Sequence, residues 1–187
     1  LESCSTYEYD EDGNLIKESQ YNADGKLSSV SEYDENGNPT KKSYYNADGK
    51  LSSVSEYDEN GNFIKESNYI YDEDGKLSYV SEYDGNSMPT KESYYIYDED
   101  DKLEGYGTYE YDENGETKKL SSYDADGKLK GYSIVERDEN GSSAKISYYN
   151  ADDKLRSYSV VEYDENGNIK KMSHYDADGT LTSEQDF

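Results

Sequence analysis

Short runs that mix apolar residues with Ser, Lys and Glu are interrupted along this chain by clusters of acids, amides and glycine at regular intervals. Leu51, Ser53, Ser55 and Tyr57 fall on one side of such a run and Ser52, Val54 and Glu56 on the other. The next run sets Phe63, Lys65, Ser67 and Tyr69 against Ile64, Glu66 and Asn68. Those two sides are the opposite faces of a β-strand, to which successive side chains point in turn. The interruptions share one phrase: a lead residue that is Tyr in every case but Arg137, then Asp or Asn, then an acid or amide and usually Gly. The lead position recurs at 9, 21, 33, 45, 57, 71, 83, 97, 111, 123, 137, 149, 163 and 175, always at an interval of 12 or 14. Two extra residues return a strand side chain to its own face but rotate a helix by about 200°, which favours strands. Asp or Asn after the lead residue can bond its own backbone and Gly supplies a positive φ, so the phrase predicts a type I turn with a glycine bulge.

Two turn classes alternate. Ala-Asp-Gly-Lys or a close relative follows Tyr21, Tyr45, Tyr71, Tyr97, Tyr123, Tyr149 and Tyr175, whereas Glu-Asn-Gly variants follow Tyr33, Tyr57, Tyr111 and Tyr163. A chain that runs up, turns, and runs down collects one class at each end of a sheet, so the true repeat is a hairpin of 24 to 28 residues. Neither strand face is strictly apolar, which argues against a two-sheet sandwich. The predicted fold is all-β: a tandem β-hairpin repeat forming an elongated, twisted, largely single-layer antiparallel meander, with a β-solenoid as the alternative topology. The array is expected over 7–182, with an N-terminal tail at 1–6 and a C-terminal tail at 183–187. Of the 24 tyrosines, 18 occupy odd-numbered positions, which places them on one face if the strands carry no unmatched bulge.

Composition pulls the other way. Leu, Ile, Val and Phe total 25 of 187 residues and the formal charge is −25, the signature of a chain that stays disordered. Tyrosine counters it, because each ring can bury about 150–250 Å² and favours strands. The charge repels DNA, RNA and anionic membranes, whose binding depends on neutralising phosphates. No segment approaches the roughly 18–20 apolar residues of a membrane-spanning helix.

Chemistry-bearing residues are few. One Cys (Cys4), one His (His174) and no Trp leave no Cys/His metal cluster within the chain and little scope for a nucleophilic triad. The expectation is therefore a non-enzyme without a cofactor. The acids are arranged as turns; Asp72, Asp98, Asp124 and Asp176 could gather along one sheet edge into weak Ca²⁺ sites, although no EF-hand spacing is met. The lead tyrosines Tyr21, Tyr33, Tyr45, Tyr57, Tyr71, Tyr83, Tyr97, Tyr111, Tyr123, Tyr149 and Tyr163 form the candidate ligand face, since Tyr offers large contact area at little entropic cost. The departures at Gly85 to Pro89, Arg137, Asp101 and Asp153 are read as drift.

Tyr71-Asp72-Glu73-Asp74-Gly75-Lys76-Leu77 and Tyr123-Asp124-Ala125-Asp126-Gly127-Lys128-Leu129 resemble the Tyr-Asp-x-x-Gly-Arg-Leu core of the YD repeats of Rhs-type toxins and teneurins. The Glu-Asn-Gly turns followed by Lys, as in Tyr57 to Lys65, resemble MORN-like variant repeats of bacterial surface and toxin-associated proteins. The resemblance spans about Tyr7 to Leu181 and implies hairpins of a single-layer sheet. It also implies an extracellular or cell-surface bacterial protein. The expected function is a repeat scaffold presenting a tyrosine-rich face to a protein or glycan, or assembling with copies of itself through its sheet edges. The alternatives are a fragment of a Rhs-like toxin-encapsulating shell and a weak Ca²⁺-binding repeat protein. Leu1-Glu2-Ser3-Cys4 partly matches a lipoprotein cleavage box, which makes Cys4 a candidate lipidation site.

Overall fold

The computed structural model describes residues 3–187. Those residues form fifteen strands: β1 (Cys4–Tyr9), β2 (Leu15–Tyr21), β3 (Leu27–Tyr33), β4 (Pro39–Tyr45), β5 (Leu51–Tyr57), β6 (Phe63–Tyr71), β7 (Leu77–Asp84), β8 (Pro89–Tyr97), β9 (Leu103–Tyr111), β10 (Thr117–Asp124), β11 (Leu129–Arg137), β12 (Ser143–Asn150), β13 (Leu155–Tyr163), β14 (Ile169–Asp176) and β15 (Leu181–Asp186). They take their places in the sheet in chain order, β1 to β15. Strands adjacent in the chain pair antiparallel, as β1 with β2 and β14 with β15. This is the hairpin meander; the solenoid alternative, which stacks strands in parallel, is not formed. Among the described residues both expected tails contain strand, 4–6 in β1 and 183–186 in β15, because Cys4 pairs with Tyr21 and Asp186 with Lys171 through backbone contacts that need no turn phrase. The chain divides into two compact units, Leu1–Glu92 and Ser93–Phe187.

The turns are built as the sequence requires. In the turn after Tyr21, Gly25 N–H donates to Asn22 C=O at 2.9 Å and Asn22 N–H to Lys26 C=O at 2.8 Å. The Asn22 side-chain Oδ1 accepts from the N–H groups of Asp24 and Lys26 at 3.0 and 2.9 Å. Thirteen turns share this five-residue backbone pattern, and the fourteenth, Asp138 to Ser143, holds one residue more. The fourth residue takes positive φ, 75° at Gly25 and 79° at Gly127, and Ser87, Asp101 and Asp153 occupy the same position at 62°, 68° and 59°. Asp tolerates this region better than most residues, whereas Ser gains nothing from it. Ser87→Gly is therefore expected to stabilise the first unit by about 0.5–1 kcal/mol, relief of strain being partly offset by the freer unfolded chain. Thermal unfolding of the two proteins checks this, and an unchanged or lower midpoint would contradict it.

Register is where the sequence reading needs correction. In eleven of the twelve pairings resolved residue by residue, one residue next to the turn is left unopposed. Tyr21 faces Leu27 and Gln20 faces Ser29, so Ser28 is a β-bulge. The Ser28 hydroxyl donates to Gln20 C=O at 3.0 Å, and Ser52, Ser78 and Thr182 make the same bond to Tyr44, Ile70 and His174 at 3.0–3.1 Å. One unmatched residue per strand reverses the odd-even relation from strand to strand. In the first unit Tyr21, Tyr45 and Tyr71 therefore share a face with Val30, Val54 and Val80, while Tyr33, Tyr57 and Tyr83 lie on the opposite face with Pro39 and Phe63. The lead tyrosines do not form one face.

Packing follows this register. Across the valine face Ser19, Val30, Ser43, Val54 and Ser67 oppose one another in turn, and all five are buried. In the second unit the small residue opposite a ring is the recurring device: Ser121 faces Tyr132 and Ser147 faces Tyr158. Val161, 2% exposed, is among its most deeply buried apolar side chains.

Candidate functional site

The two faces of the second unit are built differently. On one, cross-strand tyrosines stack: Tyr106 on Tyr123, Tyr132 on Tyr149 and Tyr158 on Tyr175, with ring centroids 4.7–4.9 Å apart and planes within 13°. Lys119 lies over the Tyr132 ring at 4.9 Å and Lys145 over Tyr158 at 4.7 Å. Those rings are covered by a partner ring on one side and an ammonium on the other. Tyr132 O–H also donates to Asp153 Oδ1 at 3.0 Å. Cation and ring attract through the ring quadrupole, so this face is a lattice holding itself together.

The other face carries grooves. Gly105 and Gly107 of β9 and Ser122 of β10 remove side-chain bulk, and Tyr94, Ile96, Tyr109 and Leu120 stand around them to enclose about 380 Å³. Tyr94 and Tyr109 meet at 5.2 Å and 49°, so neither covers the other's face fully. Tyr94 lies over Gly107, where an added Cβ would stand 3.0 Å from its ring. A second groove of about 360 Å³ shares Leu120, Ser122 and Lys130 with the first and is lined further by Tyr148 and Arg156.

Of the tyrosines singled out in the sequence, Tyr123 and Tyr149 belong to the stacking face, Tyr111 and Tyr163 to the groove face, and Tyr97 ends β8. In the first unit Tyr57 packs edge-on against Phe63 at 6.1 Å under Lys42. Tyr71 O–H donates to Leu51 C=O at 2.9 Å, with Lys50 over its ring. Tyr94, Tyr109 and Tyr148, around which the grooves are organised, are not lead residues. The signal for them was the Gly105-Tyr106-Gly107 break in the serine-rich strand pattern. Arg137 replaces a lead Tyr without loss: its Nη1 donates to Thr117 C=O at 3.0 Å, twenty residues back as Tyr71 is to Leu51, and its Nε pairs with Glu116 at 3.1 Å.

The acidic positions are engaged by their own turns. Asp72, Asp98, Asp124 and Asp176 each offer Oδ1 to backbone N–H groups of the same turn at 2.7–3.1 Å. Among the described residues no group of three or more His, Cys, Asp or Glu converges to hold a metal ion. Lys26 and Lys50 reach from one Ala-Asp-Gly-Lys turn to the carbonyls of Ala47 and Gly75 in the next such turn. His174 Nδ1 and Ser159 Oγ lie 2.7 Å apart, with Ser159 only 1% exposed. Cys4 is a free, exposed thiol at the start of β1, and the Leu1 and Glu2 part of the cleavage box lies outside the described residues.

Asp10, Asp58 and Asp164 are held below the ordinary carboxylate value of 3.8, first by the side-chain amides of Asn14, Asn62 and Asn168 and then by the backbone N–H of those residues. A carboxylate whose pKa is lowered on folding stabilises fully above its unfolded value and loses that contribution as pH falls through its folded value. The urea midpoint is thus expected to be flat from about pH 7 to 5 and to fall below about pH 4. Asp58→Asn should blunt the fall, since Asn22, Asn46 and Asn150 already serve the same position. A midpoint that rises on acidification would mean that relief of the net negative charge outweighs the turns.

A family model described as a protein of unknown function (DUF2963) matches residues 4–44, 24–68 and 45–95, and a MORN repeat variant model matches residues 159–177. Successive matches of one model bear out the tandem-repeat organisation. No curated protein matches the sequence. Among solved structures, a protein of unknown function from Bacteroides fragilis is 15% identical with a TM-score of 0.29, covering 65% of this chain and 90% of that one. A porin-like protein from Bacteroides uniformis is 12% identical with a TM-score of 0.27, covering 91% of this chain and 87% of its own. The Tc holotoxin pore of Photorhabdus luminescens is 11% identical with a TM-score of 0.27; the whole of this chain aligns, spanning 14% of the toxin chain.

Proposed function

We propose that the protein is a non-enzymatic repeat scaffold of the bacterial surface or exterior that presents tyrosine-bearing sheet faces to a glycan or protein partner, or to further copies of itself. One observation carries the reading: thirteen of the fourteen turns share one backbone hydrogen-bond pattern that they satisfy internally, which leaves the strand faces free to differ, from the serine and valine of β3 to the tyrosine and glycine of β9. A uniform frame with variable faces suits presentation, while catalysis needs a few residues in unlike environments. The Tyr-Asp-x-x-Gly-Lys-Leu turns support reading the hairpins as YD-like, and the likeness of the Glu-Asn-Gly turns to repeats of bacterial surface proteins supports the location. The outermost strands β1 and β15 are exposed along their length and offer edges for self-pairing.

The test immobilises the intact protein and passes over it the protein itself, a panel of neutral oligosaccharides and a panel of polyanionic ones. Saturable binding of the neutral glycans or of the protein itself, with little response to the polyanions, is expected. No saturable response in either class would overturn the scaffold reading.

A further inference from the structure

We propose that the groove face of the second unit is a binding site for a neutral oligosaccharide, which lies across two adjoining subsites. The proposal rests on the scaffold reading and gives it a location and a ligand class. On the stacking face the six rings are paired with one another, and Tyr132 and Tyr158 also lie under lysines, so that face spends its aromatic surface on itself. On the groove face Tyr148 is 39% exposed and, among the described residues, no ring or ammonium lies against it. Tyr94 and Tyr109 open a tilted corner beside a floor made of Gly105, Gly107 and Ser122.

The polar groups at the rim select among ligands. Glu104 and Lys130 border the first groove and Lys130 and Arg156 the second, and none of the three makes an ion pair among the described residues. A purely apolar ligand would leave these groups without partners. An anion would match Lys130 and Arg156 but meet Glu104 and the field of a chain carrying −25. A sugar satisfies both demands, because its C–H face packs on an aromatic ring while its hydroxyls donate to Glu104 and accept from Lys130 and Arg156. Each groove falls in the range of small-molecule sites, about 300–1,000 Å³. Their shared residues Leu120, Ser122 and Lys130 make them consecutive positions for one chain of sugar units.

The experiment titrates the intact, ¹⁵N-labelled protein with cellotetraose, maltotetraose and chitotetraose, with an oligogalacturonate as the acidic arm. Saturable shifts of the Gly105, Gly107, Ser122 and Gly131 amides with at least one neutral probe are expected. Tyr94→Ala and Tyr148→Ala should each weaken binding about tenfold, the scale of one lost stacking ring. Lys130→Gln and Arg156→Gln, exposed positions whose replacement leaves the fold intact, should weaken it about threefold or more. Tyr44→Ala, an exposed ring of the first unit, should leave it unchanged. No shift with any neutral probe, or preference for the oligogalacturonate, would overturn the proposal. Neutral-sugar binding that survives all four groove-face substitutions would also overturn it, while leaving the broader scaffold reading in place.

Discussion

Replacing Gly105 by Ala is expected to destabilise the second unit by about 3 kcal/mol, the upper end of the cost of an overpacked site. An added Cβ at Gly105 would stand 2.3 Å from the Tyr123 carbonyl oxygen and 3.5 Å from Asp124 Cα. The obstacle is backbone of the paired strand, so no side-chain rotation can relieve it and β9 must separate from β10. Gly105 opposes Asp124 and Tyr106 opposes Tyr123, so separation also pulls apart the Tyr106–Tyr123 stack, whose centroids are 4.7 Å apart. Gly127 provides the contrast. Its φ is +79° and the nearest obstacle to a Cβ is the Tyr106 hydroxyl at 3.6 Å, so Gly127→Ala meets conformational strain alone, worth about 1–2 kcal/mol. Urea unfolding followed by the near-ultraviolet signal of the tyrosines should rank Gly105→Ala well below Gly127→Ala. Equal midpoints would mean that β9 shifts freely, and the rigid groove floor would be lost with that result.

The difference between those glycines also marks what the sequence made legible. A turn glycine announces itself, because the Asp or Asn three residues before it and the lead Tyr before that are local requirements of one backbone shape, and strand alternation is equally local. The tandem hairpins followed from those two signals, while the pairing in chain order is what separates the meander from the solenoid alternative. The faces did not, because a bulge is one residue of no fixed chemistry. Ser28, Thr40, Ile64, Lys130 and Arg156 all occupy it, so only the paired strand reveals that it is unopposed. Each bulge reverses parity, and the even spacing of the lead residues sends alternate tyrosines to opposite faces. Tyr106, Tyr132 and Tyr158 were readable in principle, as they recur every 26 residues, each after Gly or Ser. Arg137 was legible as a break but not as an equivalent, since its match to Tyr71 lies in a shared contact with the first residue of the preceding strand. The grooves depend on side chains drawn from β8 to β13, which no local pattern joins.

The lattice of stacked rings leads to the second large expectation. Tyr158→Ala should destabilise the second unit by about 2–3 kcal/mol, somewhat under the 3–5 kcal/mol typical of a fully buried aromatic because the ring is half-buried. The residue stacks on Tyr175 at 4.7 Å and 9°, lies under Lys145 and fills the space left by Ser147. Tyr158→Phe keeps all three contacts and should cost less than about 1 kcal/mol. A double-mutant cycle with Tyr175 isolates the stack, for which a coupling of about 0.5–1.5 kcal/mol is expected. These values bear on why a chain with 25 Leu, Ile, Val and Phe residues forms a sheet at all. If the rings replace an apolar core, truncating one must cost what a core truncation costs, and the phenol hydroxyl must matter little. If Tyr158→Ala instead costs under about 0.5 kcal/mol, the level of an ordinary surface substitution, the turns and backbone ladders carry the fold and the stacked tyrosines only decorate it.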